Sequence, residues 1–235
     1  IYVAMINYGE YDSSNLPQYD GSSIDGVRVA FHKKDMEGAL LLCREIQKKG
    51  YKVFIQPMVS LSYSDEEFLK LIYSVNEFKP YAFYIVDSFG MMKKKNLIRL
   101  FYLVEHNLND DIWIGFHSHN NKQLAYSNAQ CLVDAQTTRN LIIDASVFGM
   151  GRGAGNCAME LLLGFLKNPK YNLFPVLQFI EKHIAKLQQD GVVWGYDIPY
   201  LLTGRLNQHP SAAIDFTKEK RKDYSEFYQW LLERE

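Results

Sequence analysis

At 235 residues the chain can bury one sizeable core, and 47% hydrophobic with 23% charged residues is the balance of an ordinary globular domain. A formal net charge of -1 gives no field that would gather nucleic acid or an acidic membrane surface. Cys43, Cys131 and Cys157 are too few and scattered for a disulfide framework and form no CxxC pair, which fits a reducing cytoplasm, and no apolar run approaches the roughly 20 residues of a membrane helix.

The chain opens without a methionine, directly in an apolar run at 1–6 that reads as a buried strand, so it is expected to be a piece of something longer. Further β-rich runs fall at 27–31, 52–56, 82–86, 112–116 and 141–145. Each is short, almost continuously apolar and bounded by polar or glycine-containing stretches, as strands buried on both faces are. Helical patterns lie between them. The first, 35–49, sets Met36, Ala39, Leu40, Cys43 and Ile46 on one face and is closed by Gly50. Ser64 with Glu67 three residues on reads as a capping box opening the second. Residues 94–106 and 123–135 supply two more. From about Asn172 the pattern changes. An amphipathic stretch at 174–188 tolerates Pro175 in its first turn, 191–211 is loop-rich, and 224–232 is a last short helix. The expected division is a partial barrel over 1–170 and a helical extension over 171–235.

Alternating strands and helices imply parallel strands joined by right-handed crossovers. Six strands alone would suit an open doubly wound sheet, which gathers its site at one switch point. Here Arg28 and His32, Gln56, Asp87 and Ser88, His117 and His119, and the glycine-rich run after Ser146 lie at the C-terminal ends of different strands, the working face of a barrel. The expected fold is therefore α/β, a (β/α)8 TIM barrel lacking its first two strand–helix units, plus a C-terminal helical segment.

Two segments carry chemistry. In His117-Ser118-His119 the imidazoles sit two apart on a strand and so share a face, a half-site for a divalent ion; the plainer reading is a pair of surface histidines. Residues 144–156, DASVFGMGRGAGN, hold four glycines that allow close backbone approach to a ligand, and end in Asn156, whose amide oxygen is a further candidate donor. A flexible loop or a phosphate-cradling turn would explain the same glycines. A dinucleotide fold would place them after the first strand, not the last.

Together the runs VRVAFH at 27–32, IVDSFG at 85–90, GFHSHN at 115–120 and the 144–156 segment resemble, in order and spacing, the 4-hydroxy-2-oxovalerate aldolases, within the HMG-CoA-lyase-like superfamily of metal-dependent barrels. The resemblance covers roughly residues 1 to 165. It implies Mn²⁺ or Mg²⁺ on His117, His119 and Asn156. It implies Ser88, following Asp87, at the substrate carboxylate, and, by the tail segment GYDIPY at 195–200, a tyrosine over the site at Tyr200. Asp87, Arg28 and His32 are weighed as substrate-facing. Asp87 could equally cap the next helix or pair with a barrel residue, Arg28 could neutralise a carboxylate inside the barrel, structural or substrate-facing, and His32 could be a polar core residue. Tyr200 is one of 16 tyrosines, for which packing is the ordinary role.

The departures matter as much. The family's first strand, with an aspartate ligand, an arginine that polarises the substrate and a nearby histidine base, has no counterpart here, which leaves the ion without a carboxylate. The cysteine loop of the HMG-CoA lyases is also absent, and Cys157 has no nucleophilic assignment. The implied reaction is cleavage of a 4-hydroxy-2-oxo acid to pyruvate and an aldehyde, with little turnover expected from this chain alone. An acyl-CoA-dependent condensing enzyme of the isopropylmalate synthase type, or a non-catalytic barrel that binds an oxo acid, are the alternatives. Expected partners are further copies of the chain, drawn by exposed strand edges, or an aldehyde dehydrogenase.

Overall fold

A computed structural model describes residues 1–166 and 172–234. Six strands form one sheet: β1 (Val3–Asn7), β2 (Gly26–Phe31), β3 (Lys52–Pro57), β4 (Ala82–Asp87), β5 (Trp113–Ser118) and β6 (Leu141–Ile143). They lie side by side in chain order, with parallel pairing at β1–β2, β2–β3, β3–β4 and β5–β6. An order that never reverses has no switch point, so this is the progression of a barrel wall and not of a doubly wound sheet. The fold class expected from the sequence holds, with six strands among the described residues.

The chain divides into two compact units. The first comprises Ile1–Asp87, Lys95–His117 and Gln136–Ile143; the second comprises Ser88–Lys94, Ser118–Ala135 and Asp144–Glu235. The expected domain boundary after residue 170 lies outside the described residues.

In the first unit, helices α1 (Met36–Lys48), α2 (Asp65–Asn76) and α3 (Lys94–Asn107) present their apolar stripes to the sheet. Alternation along the strands sends Val29, Ile55, Phe83 and Ile85 to that side, where the Phe83 and Phe68 rings sit 5.6 Å apart. Each such fully buried side chain contributes roughly 1.5–3 kcal/mol. The capping box forms as read: the Ser64 hydroxyl accepts from the Glu67 amide, and the Glu67 carboxylate accepts from the Ser64 amide. Phe54, Ala82, Tyr84 and Val86 make the opposite face, with Trp113 and Ile142 packed beside them.

The first strand departs from expectation. An apolar run predicted to be buried carries Val3 and Met5 at 36% and 59% exposure. β1 is the edge of the sheet, and its register with β2 pairs Met5 with Arg28 on the face away from the helices. Apolar composition alone does not separate an edge strand from a central one.

In the second unit, α4 (Ala125–Val133) and α5 (Met159–Phe165) precede the tail. The amphipathic stretch becomes α6 (Leu173–Phe179), a π-helical turn at Ile180–Ile184, and α7 (Ala185–Gln189). The stretch read as loop contains α8 (Ile198–Arg205), capped by the Asp197 side chain and with Pro199 in its first turn. Helices α9 (Ser211–Lys218) and α10 (Tyr224–Leu232) complete a core around Tyr200, Phe216, Phe227 and Leu231, where the Phe216 and Phe227 rings stack at 4.2 Å. No helix among the described residues is long and apolar enough to cross a membrane.

Candidate active site

The sheet face away from the helices is polar toward the C-terminal strand ends. Arg28, on β2, donates from Nη2 to the Tyr84 hydroxyl at 2.7 Å, and its guanidinium lies 4.5 Å from the centre of the same ring. This partner is a phenol, where the sequence reading offers a carboxylate within the barrel or the substrate. Gln56, level with Ala30 in the strand register, is buried, and its Oε1 has no hydrogen-bond partner. Asp87 ends β4 at 3% exposure. Its position in the alternation puts it with Phe83 and Ile85, the helix-facing set, which favours the structural alternative for it. His32 lies just past β2, exposed, at the N-cap of a short turn Lys33–Asp35. A buried polar role for it is therefore excluded. His117 is the penultimate residue of β5 and half-buried.

The second unit holds the remaining candidates. Ser88, His119, Asn121, Arg152 and Gly153 line one small cavity. His119 forms an isolated antiparallel bridge with Asn156, and the Asn120 amide donates to the Gly155 carbonyl at 2.9 Å. Two sequence motifs, the histidine pair and the glycine loop, thus meet backbone to backbone across 37 positions, from His119 to Asn156. The glycine at 155 is required for this. Its φ of +77° suits glycine, and any Cβ there would collide with the Gly149 carbonyl. Asn156 donates from Nδ2 to the Met150 carbonyl at 3.0 Å, while its Oδ1 is buried with no partner. Idle buried acceptors are rare, because the lost bond to water is not recovered.

Among the described residues no three His, Cys, Asp or Glu side chains group closely enough to hold a metal ion. A cation here would therefore draw on the amide. An imidazole and a buried carbonyl oxygen with nothing to accept form a donor set suited to a divalent ion, and the residues present fit one.

Tyr200 is 8% exposed and packs in the helical core. Its ring also lies so close to Gly153 that a Cβ there would stand 3.0 Å from it. The residue reading as a packing tyrosine is thus also in contact with a wall of the cavity. Its backbone carbonyl accepts from Asn121 Nδ2 at 2.8 Å, tying α8 to the segment after His119. Cys157 is 1% exposed, and burial pushes its thiol up to about 11, with the Glu160 charge adding to the effect. It is no nucleophile.

A family model described as HMGL-like matches residues 31–183. The chain belongs to the HMGL-like family. Among the HMGL-like relatives is a 4-hydroxy-2-oxovalerate aldolase of Bacillus cereus, 29% identical over 181 residues, covering 72% of this chain and 52% of the relative. Another is an oxaloacetate decarboxylase of Mycobacterium tuberculosis, 27% identical over 147 residues and covering 63% and 42%. The chain spans about half the length of the aldolases it matches. Among solved structures, the N-terminal domain of a candidate aldolase from Bacteroides vulgatus superposes with a TM-score of 0.73 at 28% identity, covering 92% of this chain and 72% of that one. The Bacillus subtilis HMG-CoA lyase does so at 0.56 with 15% identity, covering 72% and 68%, a likeness of fold alone. The resemblance read in the sequence is borne out.

The sequence reading passed over Asn121, Arg152 and Ser146 as individual residues. Arg152 carried a visible signal, a lone charge inside a glycine run. The other two show their place only through tertiary pairing.

Proposed function

We propose that this chain carries the metal-binding and carboxylate-binding part of an aldolase-type carbon–carbon lyase, which cleaves a 4-hydroxy-2-oxo acid to pyruvate and an aldehyde. The observation that carries the reading is the idle, buried Asn156 Oδ1 set opposite His119, in a chain whose relatives include 4-hydroxy-2-oxovalerate aldolases.

His117, His119 and Asn156 would hold the ion, Mn²⁺ or Mg²⁺. When bound, it supplies a Lewis acid for the carboxylate and keto oxygens of the oxo acid. Ser88, on the cavity wall beside His119, donates a hydrogen bond from its hydroxyl to the substrate carboxylate and orients it. Tyr200, held against Gly153, moves a proton at the carbon left carrying charge when the C3–C4 bond breaks. The helical core around Tyr200 excludes water from that side. Removal of the C4 hydroxyl proton requires a base for which no residue of this chain is nominated, so turnover by this chain alone is expected to be slow. Arg28 braces the barrel wall through Tyr84 and is assigned no direct substrate contact.

The same site could break the C3–C4 bond of oxaloacetate, since loss of CO₂ leaves the same pyruvate enolate; the decarboxylase among the relatives favours testing it. Pyruvate binding followed by calorimetry, with and without Mn²⁺, and pyruvate release from 4-hydroxy-2-oxovalerate and oxaloacetate test the reading together. Cation-dependent pyruvate binding and cation-dependent release support it. Pyruvate binding indifferent to the cation, or thiol release from acetyl-CoA instead, overturns it. Tyr200→Phe should lower kcat by about 10²–10⁴-fold with Mn²⁺ affinity unchanged, if proton transfer is its role.

A further inference from the structure

The bridge that sets Asn156 opposite His119 leads to a second buried oxygen. Ser146, at the head of the glycine loop, pairs in parallel with Ala158. Its amide donates to the Cys157 carbonyl and its carbonyl accepts from the Met159 amide, both at 2.9 Å. Residues paired across a bridge turn their side chains to the same side, and so do residues two apart on an extended segment. Ser146, Ala158, Asn156 and His119 therefore share a side, while Cys157 turns the other way into the interior, as its 1% exposure requires.

Ser146 Oγ is buried and has no hydrogen-bond partner, as is true of Asn156 Oδ1. A serine hydroxyl can reach almost any nearby carbonyl by rotating one bond, so an idle one beside another idle oxygen calls for an explanation. Asn156 cannot turn its amide to meet it. The Nδ2 edge is bound to Met150 and wedged against Gly151, where any Cβ would collide with it. Two neutral oxygens and an imidazole thus stand on one side of two neighbouring bridges, each oxygen offering lone pairs with no donor to take them.

We infer that Ser146 Oγ is an additional oxygen donor to the divalent cation held by His119 and Asn156. The inference rests on the reading that a cation occupies this site. Hydroxyl and amide oxygens are hard donors that suit Mn²⁺ and Mg²⁺, whereas imidazoles alone would suit zinc as well. A serine hydroxyl on Mg²⁺ has precedent in nucleotide-binding loops. Ser146 so supplies part of the hard character that the donor set of His117, His119 and Asn156 lacks, and biases the site against zinc.

The test is cation affinity, measured on the 235-residue chain by Mn²⁺ electron paramagnetic resonance and by calorimetry with Mn²⁺ and Zn²⁺, with circular dichroism as the check on folding. Ser146→Ala should weaken Mn²⁺ binding roughly tenfold or more and leave Zn²⁺ within about threefold. Ser146→Cys, nearly the same size but with a soft donor, should lose Mn²⁺ and gain Zn²⁺; it decides the matter if the alanine variant does not fold. Unchanged Mn²⁺ affinity in both variants, with loss in Asn156→Ala, overturns the role of Ser146 and leaves the cation reading standing. A wild-type chain that binds no Mn²⁺ removes the reading itself, and this inference with it.

Discussion

Replacing Gly115 by alanine tests the packing beneath His117. Gly115 lies two residues before that histidine on β5, and a Cβ built there would stand 2.5 Å from three ring atoms of Tyr84. Ordinary contact begins at 3.4 Å, so the ring must retreat by about 0.9 Å (3.4 less 2.5). It has nowhere free to go: Tyr84 has no exposed surface and its hydroxyl takes the Arg28 guanidinium at 2.7 Å. Overpacking of this kind costs about 1–3 kcal/mol. Disturbing a charge-assisted hydrogen bond adds to that, while the stiffer unfolded chain returns about 0.4–1 kcal/mol. A net loss of about 2 kcal/mol corresponds to a fall in Tm of roughly 4–8 °C for a chain of this size. Thermal and urea unfolding measure it, with hydrogen exchange on β4 and β5 to locate it. Gly115→Ala combined with Tyr84→Leu should be scarcely less stable than Tyr84→Leu alone, since the obstacle is gone. A single variant that melts within a degree of the parent would refute the claim that β5 carries glycine to make room for Tyr84.

Arg139 donates to the Asn109 and Glu105 carbonyls at 2.7 and 3.1 Å and also to Leu108, closing the end of α3 with its side chain 6% exposed. Arg139→Ala should therefore cost about 2–3 kcal/mol, read from the urea midpoint. Burial holds the Cys43 thiol at about 12 and Cys157 at about 11, both neutral at pH 8. Titration of the native chain with a thiol reagent at that pH should find only Cys131 reacting quickly, and two or three fast equivalents would contradict the buried placement. The Lys33 ammonium, and then the Ser64 amide, hold the Glu67 carboxyl below its ordinary value. Its contribution to stability is present above the ordinary carboxylate range and lost as pH falls through the lowered value. Glu67→Gln should accordingly lower Tm at pH 7 and make little difference at pH 3.

Strand placement was legible because burial on both faces leaves runs with almost no polar interruption, and β2 to β5 appear within a residue or two of where those runs lie. The same rule misjudged β1, since Val3 and Met5 are as apolar as a central strand's residues yet face open space at the sheet edge. α8 was missed for a different reason. Leucines and a tyrosine are spread around that helix without an apolar stripe, so periodicity gives no signal; the usable cues were Asp197 as cap and Pro199 in the first turn. The histidine pair and Asn156 were visible because fixed spacing and glycine content survive in one dimension. Whether a buried oxygen finds a donor does not. Gln56, Ser146 and Asn156 look like ordinary polar residues until the chain is folded around them, and only then do their oxygens prove idle.

That distinction bears on how the site came to be built as it is. His119 and Asn156 are joined by backbone: an isolated antiparallel bridge with the Asn120 to Gly155 hydrogen bond beside it, followed two residues on by an isolated parallel bridge between Ser146 and Ala158. On the proposed reading, backbone pairing of this kind fixes where the Ser146 and Asn156 side chains stand without using their oxygens, which have no hydrogen-bond partner. A site assembled from side chains that brace each other would have spent those lone pairs on structure. The glycines follow from the same need. A loop that folds back between residues 149 and 155 to complete this pairing requires left-handed φ at Gly149, Gly153 and Gly155, and no room for a Cβ where Gly151 meets the Asn156 amide. On the proposed reading the glycine-rich run is the scaffold of an oxygen donor set and not a cradle for phosphate. Substituting Gly155 should then abolish cation binding before it unfolds the helical core, an order of loss that a phosphate-binding turn gives no reason to expect.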